Sequence, residues 1–309
     1  MTQAAPTLAV RATAERSAAT ARTATKRRPN RRIVLNIILG LFAILWMIPV
    51  IGLLVTAFRS TTDAQTTGWW TAIGNVFGQH WTTTNFVTAF TNLDLGTNFF
   101  NSVAVTVPAT VLPIMFAAFA AYGFTFLDFK GKEVYFAVIV GLLVVPTQVA
   151  LIPVLQAYVA FTKATGIPIV GQFPAAWVYH SAFALPLAIF ILRNYMSTLP
   201  VALIEAARVD GASHFQIFWR LVVPMSMPAL ASFAIFQFLW VWNDYLTAYI
   251  FLGDANPVLT QALYGLLGQY AQGWNLVAAG SFITIVVPLI VFFGMQRYFV
   301  RGLTAGSVK

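Results

Sequence analysis

The sequence predicts an all-α polytopic membrane protein with six transmembrane helices. Of its 309 residues, 59% are hydrophobic and only 9% are charged, whereas a soluble domain carries about 25% charged residues. The apolar residues fall into runs longer than the ~18 residues that suffice to cross a bilayer. No barrel-like alternation appears, and only a helix satisfies its own backbone hydrogen bonds in lipid. This composition excludes an ordinary soluble enzyme, and the absence of cysteine excludes disulfides and Cys-ligated metals.

Three parts are predicted along the chain. They are a disordered basic tail over residues 1–32, a transmembrane domain over residues 33–298 and a C-terminal tail over residues 299–309. The first tail has eight basic residues against one acid and contains no aromatic residue. Nucleic-acid binding combines basic residues with stacking aromatic side chains. The tail is therefore predicted to lie near anionic membrane lipid, and no nucleic-acid partner is expected.

Six apolar runs account for the predicted transmembrane helices. They cover about 33–58, 99–126, 134–161, 173–192, 224–252 and 275–298. The first run is too long for the apolar core of a signal peptide, which favours a retained first span. Several runs contain proline, which predicts kinked helices.

The distribution of lysine and arginine predicts the orientation. With the N-terminus inside, 16 of the 18 basic residues lie in or beside inner segments, and only Arg59 and Lys163 lie in outer loops. Both termini are therefore predicted to be cytoplasmic. The tryptophans of the outer loop 59–98 suit an aromatic belt at the membrane interface or a docking surface for an external partner.

The most informative segment is the inner loop between the fourth and fifth spans, residues 193–223. Pro200 suits the start of a helix, because its missing N–H would have no helical partner there in any case. The spacing predicts a helix over 201–209. Asp210 and Gly211 end that helix, and we expect a left-handed backbone at the glycine.

A second short helix is predicted after this bend. Ser213 and Gln216 form an S-x-x-Q capping box, and Pro224 is expected to end the helix near the membrane. Glu205 and Arg208 are three residues apart and therefore share one face of the first helix. A slim, charged bend suits a cleft on another protein, and a short amphipathic hairpin at the membrane surface gives the same pattern.

Several motifs in the chain point to one family. In the inner loop they are Glu205, Ala206, Ala207, Asp210, Gly211, Ala212, Ser213, Leu221 and Pro224. Elsewhere they are Asn101-Ser102, AYGFTFLDFKGKE at 121–133, Pro146, Ile152-Pro153, Arg193-Asn194-Tyr195, WVWNDY at 240–245 and RGLTAGSVK at 301–309. The inner loop closely resembles the EAA loop of binding-protein-dependent ABC importer permeases, and we call residues 193–223 the EAA loop. The whole pattern resembles the smaller permease subunit of maltose-type sugar transporters.

This resemblance implies a permease subunit of an ATP-driven carbohydrate importer in the cell membrane of a prokaryote. It implies that an ATPase subunit is contacted by Glu205, Ala206, Ala207, Asp210, Gly211 and Ala212, and by the tail residues Gly302, Leu303 and Thr304. The implied partners are a second permease subunit, two ATPase subunits and an extracytoplasmic solute-binding protein. The sequence lacks a G-x-x-x-x-G-K-[ST] phosphate loop, so ATP and Mg²⁺ are expected on the ATPase chain and no cofactor on this one.

Polar residues inside apolar runs are candidates for the substrate pathway or a gate. They are Gln148, Gln156, Asn243 and Asp244, and the neighbouring Trp242 is a further candidate. Asp244 is expected inside the fifth span, roughly 12 Å along the helix from Leu252. It suits a hydrogen-bonded contact between helices or a contact with sugar hydroxyl groups. His180 in the fourth span is interpreted as a hydrogen-bonded packing residue and not as a proton relay.

Two alternatives stay open at this stage. The same kind of importer could carry a polyol or a glycerol phosphodiester. An ion-coupled secondary transporter would predict internal repeats and paired intramembrane charges, which the sequence does not contain. No motif of a hydrolase or metalloprotease is present, so no catalytic residue and no metal site are predicted.

Overall fold

The computed structural model describes residues 29–92, 94–269 and 273–305, with the side chains of residues 33–91, 94–266 and 273–297. The helices are α1 (Pro29–Ala57), α2 (Thr61–Thr66), α3 (Trp69–Gly74), α4 (Thr84–Asn92), α5 (Leu95–Phe126), α6 (Lys132–Gly141), α7 (Thr147–Thr165), α8 (Phe173–Met196), α9 (Val201–Val209), α10 (His214–Ile217), α11 (Val223–Trp242), α12 (Leu246–Phe251), α13 (Leu259–Gln269) and α14 (Trp274–Ala305). Short 3-10 turns cover Val76–Gly78 and Leu142–Val144, and a π-helical turn covers Phe218–Val222. Residues 1–28 of the predicted basic tail and residues 306–309 lie outside the described residues.

The prediction of an all-α membrane fold is confirmed. Five helical runs are long and apolar enough to cross a membrane: Ile33–Ala57, Leu95–Phe126, Phe173–Met196, His214–Trp242 and Trp274–Arg297. A sixth run consists of Lys132–Val144 and Thr147–Thr165, two stretches bent by 101° at a short break. Two compact units divide between Leu53 and Leu54. In the first, the described residues form an apolar helical stretch, and the second contains all helices from α2 onward.

The third predicted span, 134–161, is not a continuous helix. It breaks at Val145 and Pro146, whose φ and ψ angles of −71°, 116° and −68°, 126° are extended. Proline cannot donate the next helical hydrogen bond, and its ring disfavours a helical conformation in the residue before it. The apolar composition continues across this break, so the sequence predicted one span that is kinked at its internal prolines.

Pro224 does not end the helix that begins after the EAA-loop bend, so this prediction was wrong. The run His214–Trp242 is helical throughout, and the π-helical turn Phe218–Val222 ends two residues before the proline. In a regular helix the proline ring clashes with the carbonyl four residues earlier. A wider turn with i to i+5 pairing moves that carbonyl away. The EAA loop therefore leads into the fifth span without an interruption.

The second unit is a bundle in which α5 packs along α8 and α11 packs against α5, α8 and α14. Two prolines within α5 leave backbone carbonyls without their helical donors. The carbonyl of Ala104, four residues before Pro108, accepts a hydrogen bond of 2.8 Å from Trp177 Nε1 on α8. The carbonyl four residues before Pro113 accepts a bond of 3.1 Å from Gln237 Nε2 on α11. Side chains of neighbouring helices therefore hydrogen-bond the carbonyls that the two prolines leave without a helical donor.

A buried arginine organises the segment between α1 and α4. Arg59 is 1% exposed, and its guanidinium donates to Gln79 Oε1 at 2.9 Å, Thr67 O at 3.0 Å and Asp63 O at 2.8 Å. The backbone N–H of His80 donates to the Asp63 carboxylate at 2.8 Å and lowers the pKa of that carboxyl group. This arrangement explains why one of the two basic residues of the predicted outer loops is not a surface charge.

Candidate functional site

The EAA loop forms the bend that its sequence predicts. Helix α9 covers Val201–Val209 and ends at Asp210, and Gly211 follows with a φ of +83°. Only glycine adopts this left-handed conformation without a steric cost. Ser213 accepts a hydrogen bond from the Gln216 backbone N–H, and the Gln216 side chain accepts one from the Ser213 N–H. The predicted helix, the left-handed glycine and the capping box are all confirmed.

The surface of the bend that faces away from the helix bundle is open. Glu205, Ala206, Asp210 and Gly211 are exposed, and within the described residues Glu205 has neither a hydrogen bond nor an ion pair. A groove of about 390 Å³ runs along the bend. It is lined by Ala207, Asp210, Gly211, Ala212, Gln216, Ile217, Arg220 and Leu221. The bend therefore presents backbone, small side chains and a few charges to whatever lies against it.

The opposite side of the bend is fixed to the bundle. Ile204, Ile217 and Phe218 are at most 3% exposed and belong to one hydrophobic cluster with α5 and α8. Arg208 is on the same face as Glu205, but it donates a hydrogen bond of 3.1 Å to the carbonyl of Phe126 at the end of α5.

A second hydrogen bond joins α5 to the start of α10. Tyr122 Oη and His214 Nδ1 are 2.9 Å apart. The EAA loop is therefore held to α5 by two polar contacts in addition to its apolar contacts.

At the other end of the bundle, the predicted span 224–252 is interrupted. Helix α11 ends directly before Asn243, and α12 begins after a gap of three residues. The side chain of Asn243 donates to the carbonyl of Leu239 at 2.7 Å, and Asp244 Oδ1 accepts from the backbone N–H of Thr247 at 3.1 Å. Short polar side chains compete with helical pairing by bonding nearby backbone groups. Asp244 therefore lies at a helix break, and its predicted position inside a continuous span was wrong.

This break and the break between α6 and α7 meet at one cleft of about 380 Å³. Its polar lining comes from Thr147, Gln148, Asn243, Asp244 and Thr247, and its aromatic lining comes from Tyr179, Trp240 and Tyr245. The cleft combines amide, hydroxyl and carboxylate groups with aromatic rings. Such a site can bind a neutral polyhydroxyl compound by hydrogen bonds and ring contacts.

Asp244 also faces a buried histidine. His180 Nε2 on α8 lies 3.6 Å from Asp244 Oδ2, and the two side chains are 2% and 17% exposed. The ring of Trp240 stands edge-on to the His180 ring with centroids 5.9 Å apart. The structure thus gives Asp244 the contact between helices that the sequence suggested, and it identifies His180 as the partner.

The remaining residues predicted for the substrate pathway do not all lie at the cleft. Gln148 lines the cleft, whereas Gln156 is exposed on α7 and lies outside the cleft lining. Trp242 is 5% exposed and packs against Phe99 and Phe238. Gly302, Leu303 and Thr304 lie in the last turns of α14, with side chains outside the described set.

Sequence reasoning missed several cleft residues. Thr147, Tyr179 and Trp240 were not singled out as site residues. His180 was interpreted as a hydrogen-bonded packing residue, but its partner was not identified. The signal that could have found Thr147 is Pro146, because the residue after a helix-breaking proline begins a new helix and leaves its N–H groups unpaired. In the part of the chain that the structure describes, His, Asp and Glu side chains form no group of three that could hold a metal ion.

Comparisons with known proteins agree with this architecture. Residues 113–305 match the family model described as binding-protein-dependent transport system inner membrane component. The osmoprotective compounds uptake permease protein GgtD from Synechocystis sp. is 47% identical over 283 residues, which cover 90% of this chain and 93% of the relative. The alpha-glucoside transport system permease protein AglG from Rhizobium meliloti is 53% identical over 227 residues, which cover 73% of this chain and 60% of the relative.

A solved structure has the same fold. A chain of a bacterial ABC transporter involved in the import of the acidic polysaccharide alginate superposes with a TM-score of 0.67, over 88% of this chain and 98% of that one, at 21% identity. The family match covers more than half of the present sequence. The resemblance carried by the EAA loop is thereby confirmed, and the chain belongs to the family of binding-protein-dependent transport system inner membrane components.

Proposed function

We propose that this chain is the permease subunit of an ATP-driven carbohydrate importer, in which the EAA loop binds a separate ATPase subunit. The observation that carries the proposal is the bend at Asp210 and Gly211. The side that faces away from the bundle is open and presents backbone, small side chains and a few charges, and the opposite side is fixed to the transmembrane bundle. A partner that seats on this bend can therefore move the helices to which the bend is attached.

The proposed assembly contains a second permease subunit, two ATPase subunits and an extracytoplasmic solute-binding protein. ATP and Mg²⁺ bind to the ATPase subunits, since this sequence has no phosphate loop of its own. The tail residues Gly302, Leu303 and Thr304 reach the same ATPase pair. Both termini and the EAA loop face the cytoplasm, as the concentration of basic residues in these segments supports.

Two observations support a carbohydrate as the substrate. The relative AglG is described as an alpha-glucoside transport permease. The cleft offers a carboxylate and two side-chain amides beside the ring of Trp240, which is 40% exposed. The relative GgtD is described as taking up osmoprotective compounds, which makes such a compound the second candidate.

The test is a charge reversal at the exposed carboxylate of the EAA loop. Glu205→Lys should weaken ATPase binding, because it replaces a negative charge at the proposed interface by a positive charge that the ATPase surface does not complement. The complete importer is purified from membranes and reconstituted with its solute-binding protein, and uptake of radiolabelled maltose, sucrose and trehalose is measured. The Glu205→Lys protein should insert normally, co-purify with less ATPase and lose uptake.

Asp254→Lys is the matched control. Asp254 is an exposed acid at the opposite end of the bundle, so its reversal should leave ATPase co-purification unchanged. Full ATPase binding and uptake in the Glu205→Lys importer would contradict the proposed role of the EAA loop. A wild-type importer that transports none of the three sugars, but transports an osmoprotective solute, would favour the second candidate.

A further inference from the structure

We infer that Tyr245, Tyr249 and Tyr264 form a stacking site for a sugar ring at the edge of the cleft. We call these three residues the tyrosine stack. The inference rests on the proposed function, because it assumes a carbohydrate substrate. It adds a binding site that begins at Tyr245, the last residue of the break after α11, and continues onto α12 and α13.

The three rings form one stack, in which Tyr245 contacts both other rings. The Tyr245 ring is stacked on Tyr264 with centroids 4.5 Å apart and an interplanar angle of 30°. It is also stacked on Tyr249 at 5.5 Å and 20°. Tyr245 belongs to the cleft lining, whereas Tyr249 and Tyr264 are 56% and 58% exposed. The stack therefore has two exposed rings, and its third ring lies at the edge of the cleft.

Exposed, stacked phenol rings have the chemistry that recognises a pyranose. The C–H groups of a sugar ring form an apolar face that can lie on an aromatic ring, while its hydroxyl groups hydrogen-bond at the edges. Tyrosine combines such a face with a polar hydroxyl group. Within the described residues, none of the three tyrosine hydroxyl groups has a hydrogen bond to protein, so all three are available to a ligand.

The position of Tyr245 favours a sugar over a protein segment as the occupant. A ligand that lies on the exposed ring of Tyr264 and passes the edge of Tyr245 extends into a cleft lined by Gln148, Asn243 and Asp244. These groups match the hydroxyl groups of a sugar, whereas the core of a protein interface is depleted in charged residues. A sugar on the stack therefore meets hydrogen-bonding groups on one side and aromatic faces on the other.

The test compares two substitutions at Tyr264 in the complete reconstituted importer. Tyr264→Leu removes the ring, whereas Tyr264→Phe keeps the ring and removes only the hydroxyl group. We expect Tyr264→Leu to lower maltose uptake about five-fold, as for the loss of one aromatic contact, and Tyr264→Phe to change it by less than about two-fold. Tyr135→Leu is the control, because Tyr135 is 60% exposed on α6 and should tolerate the change.

A second readout separates sugar binding from protein binding. Maltose and melibiose are compared, because the axial hydroxyl of a galactoside disrupts one apolar face, and Tyr264→Leu should reduce the preference between them. Unchanged uptake with Tyr264→Leu would overturn the inference and leave the proposed function intact. Loss of co-purification with the second permease or the solute-binding protein would also overturn it, since the stack would then be a protein contact. Failure of the wild-type importer to transport any sugar would remove both proposals.

Discussion

Gly211 joins the two helical parts of the EAA loop with a φ of +83°, and a Cβ atom built there would meet nothing within 4 Å. The constraint on this position is therefore conformational, since a left-handed backbone costs an L residue roughly 1–2 kcal/mol. Gly211→Val should distort the bend and lower sugar uptake several-fold, while the protein inserts at normal abundance. Uptake and co-purification of the ATPase, measured on the same membranes, check this expectation.

Asparagine provides the control at this position. Asn adopts the left-handed conformation more readily than β-branched residues, and the surrounding space admits its side chain. Gly211→Asn should therefore retain more uptake than Gly211→Val. Equal uptake in the valine variant and the wild type, at equal abundance, would argue against the bend as the coupling element.

Asp244 and His180 form a pair whose function can be tested by a double-mutant cycle. Asp244→Asn keeps the hydrogen bond to Thr247 but removes the charge that faces His180. We expect Asp244→Asn and His180→Leu each to lower uptake several-fold. The fold-loss of uptake in the double variant should be smaller than the product of the two single fold-losses, because the free-energy effects of substitutions at residues in contact are not additive.

The substrate dependence of the same variants distinguishes two roles of Asp244. A changed rank order of maltose, sucrose and trehalose indicates a contact with the sugar, whereas a uniform loss indicates a structural contact between helices. Additive effects would show that the two residues act independently. Wild-type uptake by Asp244→Leu would remove both roles, since a lost buried polar contact should have a measurable cost.

At the scale of elements, local signals made the EAA loop predictable. Proline, glycine and the capping box each act on their neighbours in sequence, so their effects appear in the sequence itself. At the break before Thr147 the internal proline predicted only a kink, because the apolar composition continues beyond it. The break after Trp242 was missed because Asn243 and Asp244 are flanked by apolar residues on both sides and were interpreted as polar residues within one span. The pairing of His180 with Asp244 joins α8 to the break after α11, which is distant in sequence, and no local pattern predicts it.

The kinks of α5 give a prediction about the helix bundle. Trp177→Phe keeps an aromatic ring but removes the donor to the Ala104 carbonyl, which Pro108 has left without its helical partner. A hydrogen bond between transmembrane helices contributes about 0.6 kcal/mol on average. The variant should therefore have a slightly lower free energy of unfolding, measured in detergent by a thermal or denaturant transition.

A second substitution tests the stated cause. Pro108→Ala restores a backbone N–H that can donate to the Ala104 carbonyl, so Trp177→Phe should cost less in that background. The same loss of stability in both backgrounds would mean that the tryptophan stabilises the bundle by packing alone. Because Phe173 stacks on Trp177, the phenylalanine variant keeps most of this packing.

At the scale of the molecule, one helical run connects the two functional regions. It begins at His214 beside the EAA-loop bend and ends at Trp242 beside the cleft. At ~1.5 Å per residue, a run of 29 residues is roughly 43 Å long. The bend also contacts α5, so the proposed coupling predicts that a displacement of the EAA loop moves two helices of the bundle.

The polar contacts between α5 and the EAA loop should therefore affect coupling more than assembly. Combining Tyr122→Phe with Arg208→Gln removes the bonds to His214 and to the Phe126 carbonyl. Each bond contributes about 0.5–1.5 kcal/mol, and the apolar contacts of the bend remain. The double variant should bind the ATPase and hydrolyse ATP normally, while the ratio of sugar uptake to ATP hydrolysis falls several-fold.

Tyr158→Phe is the control, since the Tyr158 hydroxyl group donates to the Ala175 carbonyl, away from the EAA loop. An unchanged ratio in the double variant, or an equal fall with Tyr158→Phe, would mean that these contacts do not transmit the motion.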